Sequence, residues 1–263
     1  MATHHPLYCI LTVWALFLCE ACTIKEDRSD CPCYLEIDVS DCYRVADEVQ
    51  LRWRLERGGV STDKLPLGPW REVFGKEVPR GYVSYSAFSG AALREVSSES
   101  LIIPYGHASD SLYAYSATLE AVEETMFDIV VMHKQFATLN IGFCFGSGIE
   151  APDAKISLTG DWNGLRLDSL SPVQGSFACM AGRCGGNLWM ATVPRQGDDS
   201  LTMHIETPSG SDSLPVGEYL RLAGYDWTET DLKDVRIDID WQQWSISIDI
   251  EPWSEGRTYN INI

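Results

Sequence analysis

The residues that could carry out catalysis are scattered along this 263-residue chain. The sequence contains no His-Glu-x-x-His, no Gly-x-Ser-x-Gly and no phosphate-binding glycine loop followed by Lys. His107, His133 and His204 occur singly, which is typical of surface or core-edge histidines rather than of a general base or a metal ligand. Asp238 and Asp240 are spaced as alternate residues of a strand, where solvent-facing positions are usually polar. These patterns predict no enzyme activity and no cofactor.

One short segment carries several oxygen ligands. Thr159–Gly164 reads Thr-Gly-Asp-Trp-Asn-Gly, but it lacks the Asp-x-Asp-x-Asp-Gly spacing of a calcium loop. We therefore interpret it as a tight turn, with calcium binding as the less favoured alternative.

The cysteines are the other residues with chemistry to consider. Of the nine, Cys9, Cys19 and Cys22 belong to the N-terminal segment described below, which leaves an even number, six. In an exported protein such a set predicts disulfides, whereas Cys-Pro-Cys without a nearby histidine does not match a zinc site. A short loop separates Cys179 from Cys184, and Cys31 or Cys33 could pair with Cys42 across a hairpin. Because each half of the chain has three cysteines, at least one pairing must join the halves or be absent. The candidate disulfide cysteines are Cys31, Cys33, Cys42, Cys144, Cys179 and Cys184.

The N-terminus resembles a lipoprotein signal peptide. Pro6–Leu18 is apolar but shorter than the roughly 20 residues that cross a bilayer, and it leads into Leu-Cys-Glu-Ala-Cys22. Residues 1–21 are therefore predicted to be removed, with Cys22 lipidated; the alternative is ordinary secretory cleavage with Cys22 a plain thiol. Stable anchoring through several acyl chains would make the protein peripheral to a membrane.

A short charged tether, residues 22–31, follows the signal. Lys25, Glu26 and Asp27 resemble the acidic export signal of surface-exposed lipoproteins in the Bacteroidota, and the alternative is a solvated linker. The expected location is the outer membrane, lipid-anchored and surface-exposed.

The overall charge excludes one class of partner. The chain has 20 Lys+Arg and 38 Asp+Glu, a formal charge of −18, which would repel a phosphate backbone. We therefore expect no nucleic-acid binding.

Alternation of apolar and polar residues predicts an all-β fold. Short strands separated by Gly, Pro, Asp and Asn recur along both halves, which is typical of β-sandwiches. This pattern predicts one sandwich over residues 32–135 and a second over residues 136–263, with the crossover between them inside Met126–Phe145. The other predicted strands are Cys33–Ser40, Val49–Leu55, Gly81–Phe88, Leu101–Ile103, Leu112–Leu119, Lys155–Leu158, Leu188–Val193, Ser200–Glu206, Glu218–Ala223, Val235–Asp240, Trp244–Ile250 and Arg257–Ile263.

Several short motifs resemble a known family. Cys22–Pro32, with Ser-Asp-Cys-Pro at its end, is similar to the mature start of the FimB-like fimbrillin-anchor lipoproteins of Bacteroidales type V fimbriae. The likeness continues in Ser109–Tyr115, in Lys134–Ala137 and in the final Ile-x-Ile strand before Trp253.

This resemblance implies two tandem transthyretin-like sandwiches and a non-catalytic role. A member of the family would anchor a fimbrial polymer to the outer membrane, limit its length, and join a fimbrial stalk subunit by β-strand addition. Because the first strand follows closely after Cys22, we expect it to be retained and the chain's end to be exchanged. The candidate strand-exchange tail is Thr258, Tyr259, Asn260, Ile261, Asn262 and Ile263.

The alternative function is a surface glycan- or matrix-binding lipoprotein, since aromatic faces stack on sugar rings. It would be favoured if Trp162, Trp227, Trp241 and Trp253 lined one exposed cleft, whereas tryptophans buried between sheets would favour the anchor.

Overall fold

The computed structural model shows an all-β protein built from two stacked pairs of sheets. It describes residues 31–55, 59–69, 73–92, 94–97, 99–144, 153–240, 243 and 245–251, and the backbone of residues 258–262. The predicted all-β sandwich fold is confirmed.

The N-terminal sandwich pairs a three-stranded sheet, in the order β4-β1-β9, with a five-stranded sheet, in the order β10-β8-β5-β2-β3. A 3-10 turn at Cys42–Arg44 follows the first strand. The strands are β1 (Cys33–Asp38), β2 (Glu48–Leu55), β3 (Val60–Pro66), β4 (Val73–Val78), β5 (Gly81–Ser89), β8 (Tyr113–Ala121), β9 (Thr125–Ile129) and β10 (His133–Lys134).

The C-terminal sandwich pairs two six-stranded sheets. One has the order β14-β15-β11-β18-β19-β20, and the other the order β17-β16-β12-β7-β6 with β13 also paired to β12. Its elements are β6 (Glu95–Val96), β7 (Ser100–Ile102), β11 (Phe136–Cys144), β12 (Lys155–Arg166), β13 (Pro172–Met180), β14 (Gly182–Gly185), β15 (Leu188–Pro194), β16 (Thr202–Thr207), β17 (Gly210–Leu214), helix α1 (Val216–Leu222), β18 (Val235–Asp240), β19 (Ser245–Ile250) and β20 (Thr258–Asn262).

Each sandwich has its own apolar core. In the N-terminal one, Trp53 stacks on Tyr85 with ring centroids 5.1 Å apart, and both side chains are buried. In the C-terminal one, the alternating residues of β11 and β18 meet Trp189 and their neighbours. Burying each such side chain stabilises the fold by roughly 1.5–3 kcal/mol, so the period-two pattern sets which face of each strand points inward.

The first half of the chain contributes one hairpin, β6 and β7, to the C-terminal sandwich; we call it the exchanged hairpin. Leu101–Ile103 was predicted within the N-terminal sandwich, but β7 pairs antiparallel with β12 of the C-terminal sandwich, Leu165 opposite Leu101. The predicted boundary is therefore wrong for β6 and β7, which come from the first half of the chain and complete a sheet of the second. Elsewhere the change of sheet falls between β10 and β11, at Gln135.

The exchanged hairpin seals an apolar cluster between the sandwiches. Its buried members come from β5, β7, β8, β12 and their adjoining loops: Phe88, Leu101, Leu112, Ala114, Leu165 and Leu167. Gly164 allows this contact, because a Cβ there would lie 2.5 Å from Cδ1 of Ile102 and 2.9 Å from the carbonyl oxygen of Leu101.

Two local predictions are wrong. Glu218–Ala223 was predicted as a strand, but helix α1 covers this segment up to Leu222. A six-residue segment can fit both the strand period and the helix period. Here Val216 and Leu220, four residues apart, are both buried, which is the spacing of a helix. Thr159–Gly164 was interpreted as a turn, yet it lies inside β12, whose register with β13 shifts on both sides of Trp162. A strand with such bulges bends locally, so its Gly residues mark irregular pairing instead of a loop.

No helix among the described residues is long and apolar enough to cross a membrane.

Candidate assembly surfaces

The first feature that bears on assembly is the position of β1, at the start of the described chain. β1 lies in the middle of its sheet, antiparallel to β4 and parallel to β9, with Leu35 and Ile37 fully buried. Just before it, the carbonyl oxygen of Cys31 accepts a hydrogen bond of 2.9 Å from Nε of Arg80. The predicted lipidation site Cys22 and the predicted export signal Lys25, Glu26 and Asp27 lie outside the described residues.

The end of the chain forms the second candidate surface. β20 lies at the outer edge of its six-stranded sheet, and its only strand partner among the described residues is β19. The five pairs run from Ser245 opposite Asn262 to Asp249 opposite Thr258. The predicted exchange tail is therefore an edge strand of its own sheet. Its residue Ile263 lies outside the described residues.

The predicted disulfides are not present in the structure. All six candidate cysteines are free thiols, with Cys33, Cys42 and Cys179 buried. Cys33 is the first residue of β1 and Cys42 lies beyond its last, so about 16 Å of extended strand separates them, which is too far for a bridge. Cys179 is buried in the C-terminal core whereas Cys184 is exposed on β14.

Burial also changes the acidity of these thiols. Desolvation raises the pKa of Cys42 to about 11, with Asp41 and Asp38 adding to the effect, and it raises the pKa of Cys179 to about 12. Both groups therefore stay protonated and unreactive near neutral pH.

The three histidines and the paired carboxylates do not come together in one site. Nδ1 of His133 is 3.1 Å from Oδ2 of Asp231, His204 lies between the hydroxyls of Thr159 and Ser213, and His107 is exposed. Asp238 accepts a 2.7 Å hydrogen bond from Arg236. Within the described residues, no group of three or more His, Cys, Asp or Glu could hold a metal ion.

The described tryptophans do not form an exposed aromatic platform. Trp53 and Trp189 are buried, and Trp162 and Trp227 are half-buried. The Trp162 ring packs on the backbone of Gly197, and Trp227 packs edge-on against Tyr225 with centroids 4.7 Å apart. Trp241 and Trp253 lie outside the described residues.

A polar cleft of about 180 Å³ opens at the junction between the sandwiches. No tryptophan is among its lining residues, which are His133, Gln135, Ser169, Leu170, Arg195, Thr228, Glu229 and Thr230. Nε of the buried Arg195 donates a 3.0 Å hydrogen bond to Oε1 of Gln135, and its other nitrogens bind the carbonyl oxygens of Trp227, Glu229 and Thr230. Through these hydrogen bonds, Arg195 links Gln135, at the boundary between the sandwiches, to the loop that contains Trp227, Glu229 and Thr230.

A second buried arginine holds the exchanged segment. Nε of Arg94 lies 2.5 Å from Oδ1 of Asp110, and Nη2 of Arg94 donates a 2.9 Å hydrogen bond to Oγ of Ser109. The backbone N–H of Ser109 bonds in turn to the carbonyl oxygen of Thr192 on β15. Sequence reasoning missed both arginines, because nothing local distinguishes them from surface residues.

The outer face of the five-stranded sheet carries a third set of junction contacts. The turn after β12 lies against it. There the hydroxyl of Ser86 donates to the backbone carbonyl oxygen of Leu167, and the hydroxyl of Ser116 donates to that of Asp168 at 2.9 Å. Hydrogen bonds from Arg166 hold the pKa of Asp168 well below its usual range. The two sandwiches are thus joined by apolar and polar contacts and by a shared strand.

Comparison with known proteins supports the fold. No family model and no curated protein matches the sequence. Among solved structures, the chain is similar to a candidate polysaccharide-binding protein from Bacteroides thetaiotaomicron, with a TM-score of 0.65 and 10% identity over 89% of this chain and 99% of that one. A candidate adhesin from the same organism gives 0.62 and 14% over 88% and 99%.

A third structure is the fimbrial anchor protein Mfa2 from Porphyromonas gingivalis. It matches with a TM-score of 0.57 and 10% identity over 85% of this chain and 98% of that one. At these identities the likeness establishes a shared two-sandwich architecture.

Proposed function

We propose that this chain is a cell-surface lipoprotein without enzyme activity that anchors a fimbrial polymer to the outer membrane and limits its length. The observation that carries the proposal is the central position of β1, which starts 11 residues after Cys22 and is paired on both sides. The names of the structurally similar adhesins and of the fimbrial anchor Mfa2 agree with a surface role.

The position of β1 suits a protein that is pulled by its N-terminus. A force between a lipid at Cys22 and the folded domains acts along β1. It must therefore shear the hydrogen bonds to β4 and β9 together, whereas a strand at an edge could be peeled away bond by bond. The buried Leu35 and Ile37 would also have to leave the core, which adds to the resistance.

The same geometry supports the C-terminal tail as the end that joins the polymer. Removing β1 to open an acceptor groove would separate the protein from its lipid and uncover the N-terminal core. β20, by contrast, lies at the edge of its sheet and has one strand neighbour among the described residues. We propose that the tail Thr258–Ile263 moves from β19 to a stalk subunit, exchanging one antiparallel ladder for another.

We favour anchoring over glycan binding. Stacking on sugars needs exposed aromatic faces, and the described tryptophans pack against protein. The junction cleft also lacks an aromatic wall among its lining residues.

Two variants test the anchoring role in cells that carry the fimbriae. With Cys22→Ala, we expect soluble protein and fimbriae shed into the medium. With truncation after Gly256, we expect lipidated protein at the surface but shed fimbriae, measured by fractionation and electron microscopy. Removal of Ile263 alone is the control, because it leaves β20 intact.

Two results would contradict the proposal. Membrane-bound, surface-accessible Cys22→Ala protein would refute the lipid anchor. Cell-bound fimbriae of normal number and length after truncation would refute exchange of the tail.

A further inference from the structure

The N-terminal sandwich exposes a row of apolar side chains that no core contact explains. Phe127, Ile129 and Val131 are 49%, 51% and 53% exposed, and they alternate along β9 and its extension. Tyr34 of the neighbouring β1 is 44% exposed on the same outer face. The Tyr34 ring lies over Gly75 of β4, on the other side of β1, so the apolar stripe consists of Phe127, Ile129 and Val131. Such exposed apolar patches mark interaction sites on soluble proteins.

The stripe lies on a strand with an open backbone edge. The carbonyl oxygen of Glu124 accepts from the N–H of Tyr34 and the N–H of Val130 donates to Asp38, so even-numbered residues face β1. The parallel ladder therefore turns the backbone groups of Thr125, Phe127 and Ile129 outward.

Most of these outward groups have no protein partner in the described part of the chain. β9 is the last strand of its sheet there, and the N–H of Ile129 bonds to Oδ1 of Asp128 at 2.9 Å. An added strand would thus bond mainly to Phe127 and Thr125.

This edge has little of the usual protection against strand addition. Thr125–Ile129 contains no Pro, Gly or Lys and no bulge in its pairing with β1. Its one inward charge, Asp128, is accommodated by hydrogen bonds of 2.7 Å from the hydroxyl of Tyr85 and 3.2 Å from that of Tyr115. These hydrogen bonds hold β9 in position, with its outer backbone edge available for pairing.

The charges around the stripe indicate which occupant fits. Glu36, Asp38 and Glu77 lie at outward positions of β1 and β4, and no outward position of these two strands or of β9 holds Lys or Arg. A second copy of the chain would bring the same carboxylates together. The tether residues 23–30 carry Glu26, Asp27 and Asp30 against Lys25 and Arg28, a net charge of −1, so they offer no excess of basic side chains to this face. A strand with apolar and basic side chains complements it.

We propose that the free edge of β9 accepts an extended strand of a partner protein that carries both apolar and basic side chains on its outward face, at every second residue. Its backbone would pair with Phe127 and Thr125, its apolar side chains would cover the stripe, and its basic ones would meet the carboxylates. This surface lies on the N-terminal sandwich and does not depend on the proposed exchange of the tail.

The experiment uses the purified mature chain with Cys22→Ala. The probe is a fluorescein-labelled peptide that repeats Val-Thr-Lys-Thr, so that valine and lysine share one face of the strand. A peptide with glutamate in place of lysine serves for comparison, and binding is followed by fluorescence anisotropy. We expect saturable binding of the lysine peptide. An N-methylated version of it, unable to pair along one edge, should bind at least tenfold more weakly.

A matched pair of variants separates the edge from general surface effects. Phe127→Lys with Ile129→Lys should weaken binding at least tenfold, because lysines on an open edge block strand addition. Leu188→Lys with Met190→Lys is the control: these side chains are also exposed and alternate, but β15 is paired on both sides, so binding should not change.

Several outcomes would overturn the proposal. These are no saturable binding of the lysine peptide, equal binding of the glutamate peptide, or equal loss in both lysine variants. A concentration-dependent dimer that is abolished by Phe127→Lys with Ile129→Lys, seen by sedimentation, would identify a second copy as the occupant instead.

Discussion

Replacing Arg94 by Met, or Asp110 by Leu, breaks the ion pair that fastens the exchanged hairpin to the junction. The Arg94 side chain is 1% exposed and that of Asp110 is 10% exposed, so water cannot replace the lost partner. Removing one member of such a pair lowers the free energy of unfolding by about 3–5 kcal/mol, whereas replacing both by apolar residues leaves it nearly unchanged.

The expected loss of unfolding free energy depends on which charged group stays buried without its partner. Asp110→Leu leaves a buried guanidinium with Ser109 as a remaining acceptor, so we expect the upper end, about 5 kcal/mol. Arg94→Met leaves a carboxylate that is slightly more accessible, so we expect about 3 kcal/mol. The double variant should lie within about 1–2 kcal/mol of the parent, which gives a coupling energy of at least about 6 kcal/mol.

The assay is urea unfolding of the mature Cys22→Ala chain, with hydrogen exchange at Leu101 and Ile102 as a local measure of the hairpin. The control is Arg221→Met, because its pair with Asp199 has the same 2.5 Å separation but side chains 55% and 40% exposed. There we expect a loss of at most about 1 kcal/mol. Additive losses in the double variant, or single losses no larger than in the control, would refute the reasoning.

Three further predictions address the cysteines, the junction and the tether. In the Cys22→Ala chain at pH 8, maleimide should label the exposed Cys31, Cys144 and Cys184, and all six thiols should react only after unfolding. With a pKa of about 11, Cys42 is only about one part in a thousand thiolate at that pH, and reactivity should rise as pH approaches 11; fewer than six thiols in unfolded, unreduced protein would show disulfides. Gly164→Ala should destabilise the protein by about 1–3 kcal/mol and speed exchange at Leu101, because the new Cβ meets the backbone of β7; unchanged exchange would contradict this contact. Alanine at Lys25, Glu26 and Asp27 should leave lipidated protein that external protease does not reach on intact cells, and unchanged digestion would show that the tether is only a spacer.

The sequence by itself determined the inward faces of the strands. Cys33, Leu35 and Ile37 alternate with polar residues, and the structure buries the same three. This works because the strand period is a local property, visible wherever one face is buried and the other is not. Where both faces are largely accessible, as in β3 and β4 at sheet edges, the alternation disappears, and these strands were not predicted.

Only the tertiary structure decided which strands pair and what covers each face. Leu101–Ile103 was correctly predicted as extended, but its partner β12 lies some sixty residues further along the chain, and no local pattern specifies that pairing. The same limit explains the disulfide prediction, since cysteine spacing does not reveal that Cys33 begins β1 whereas Cys42 lies past its other end. Arg94 and Asp110 are ordinary polar residues in the sequence, and they become a buried ion pair because the exchanged hairpin encloses them.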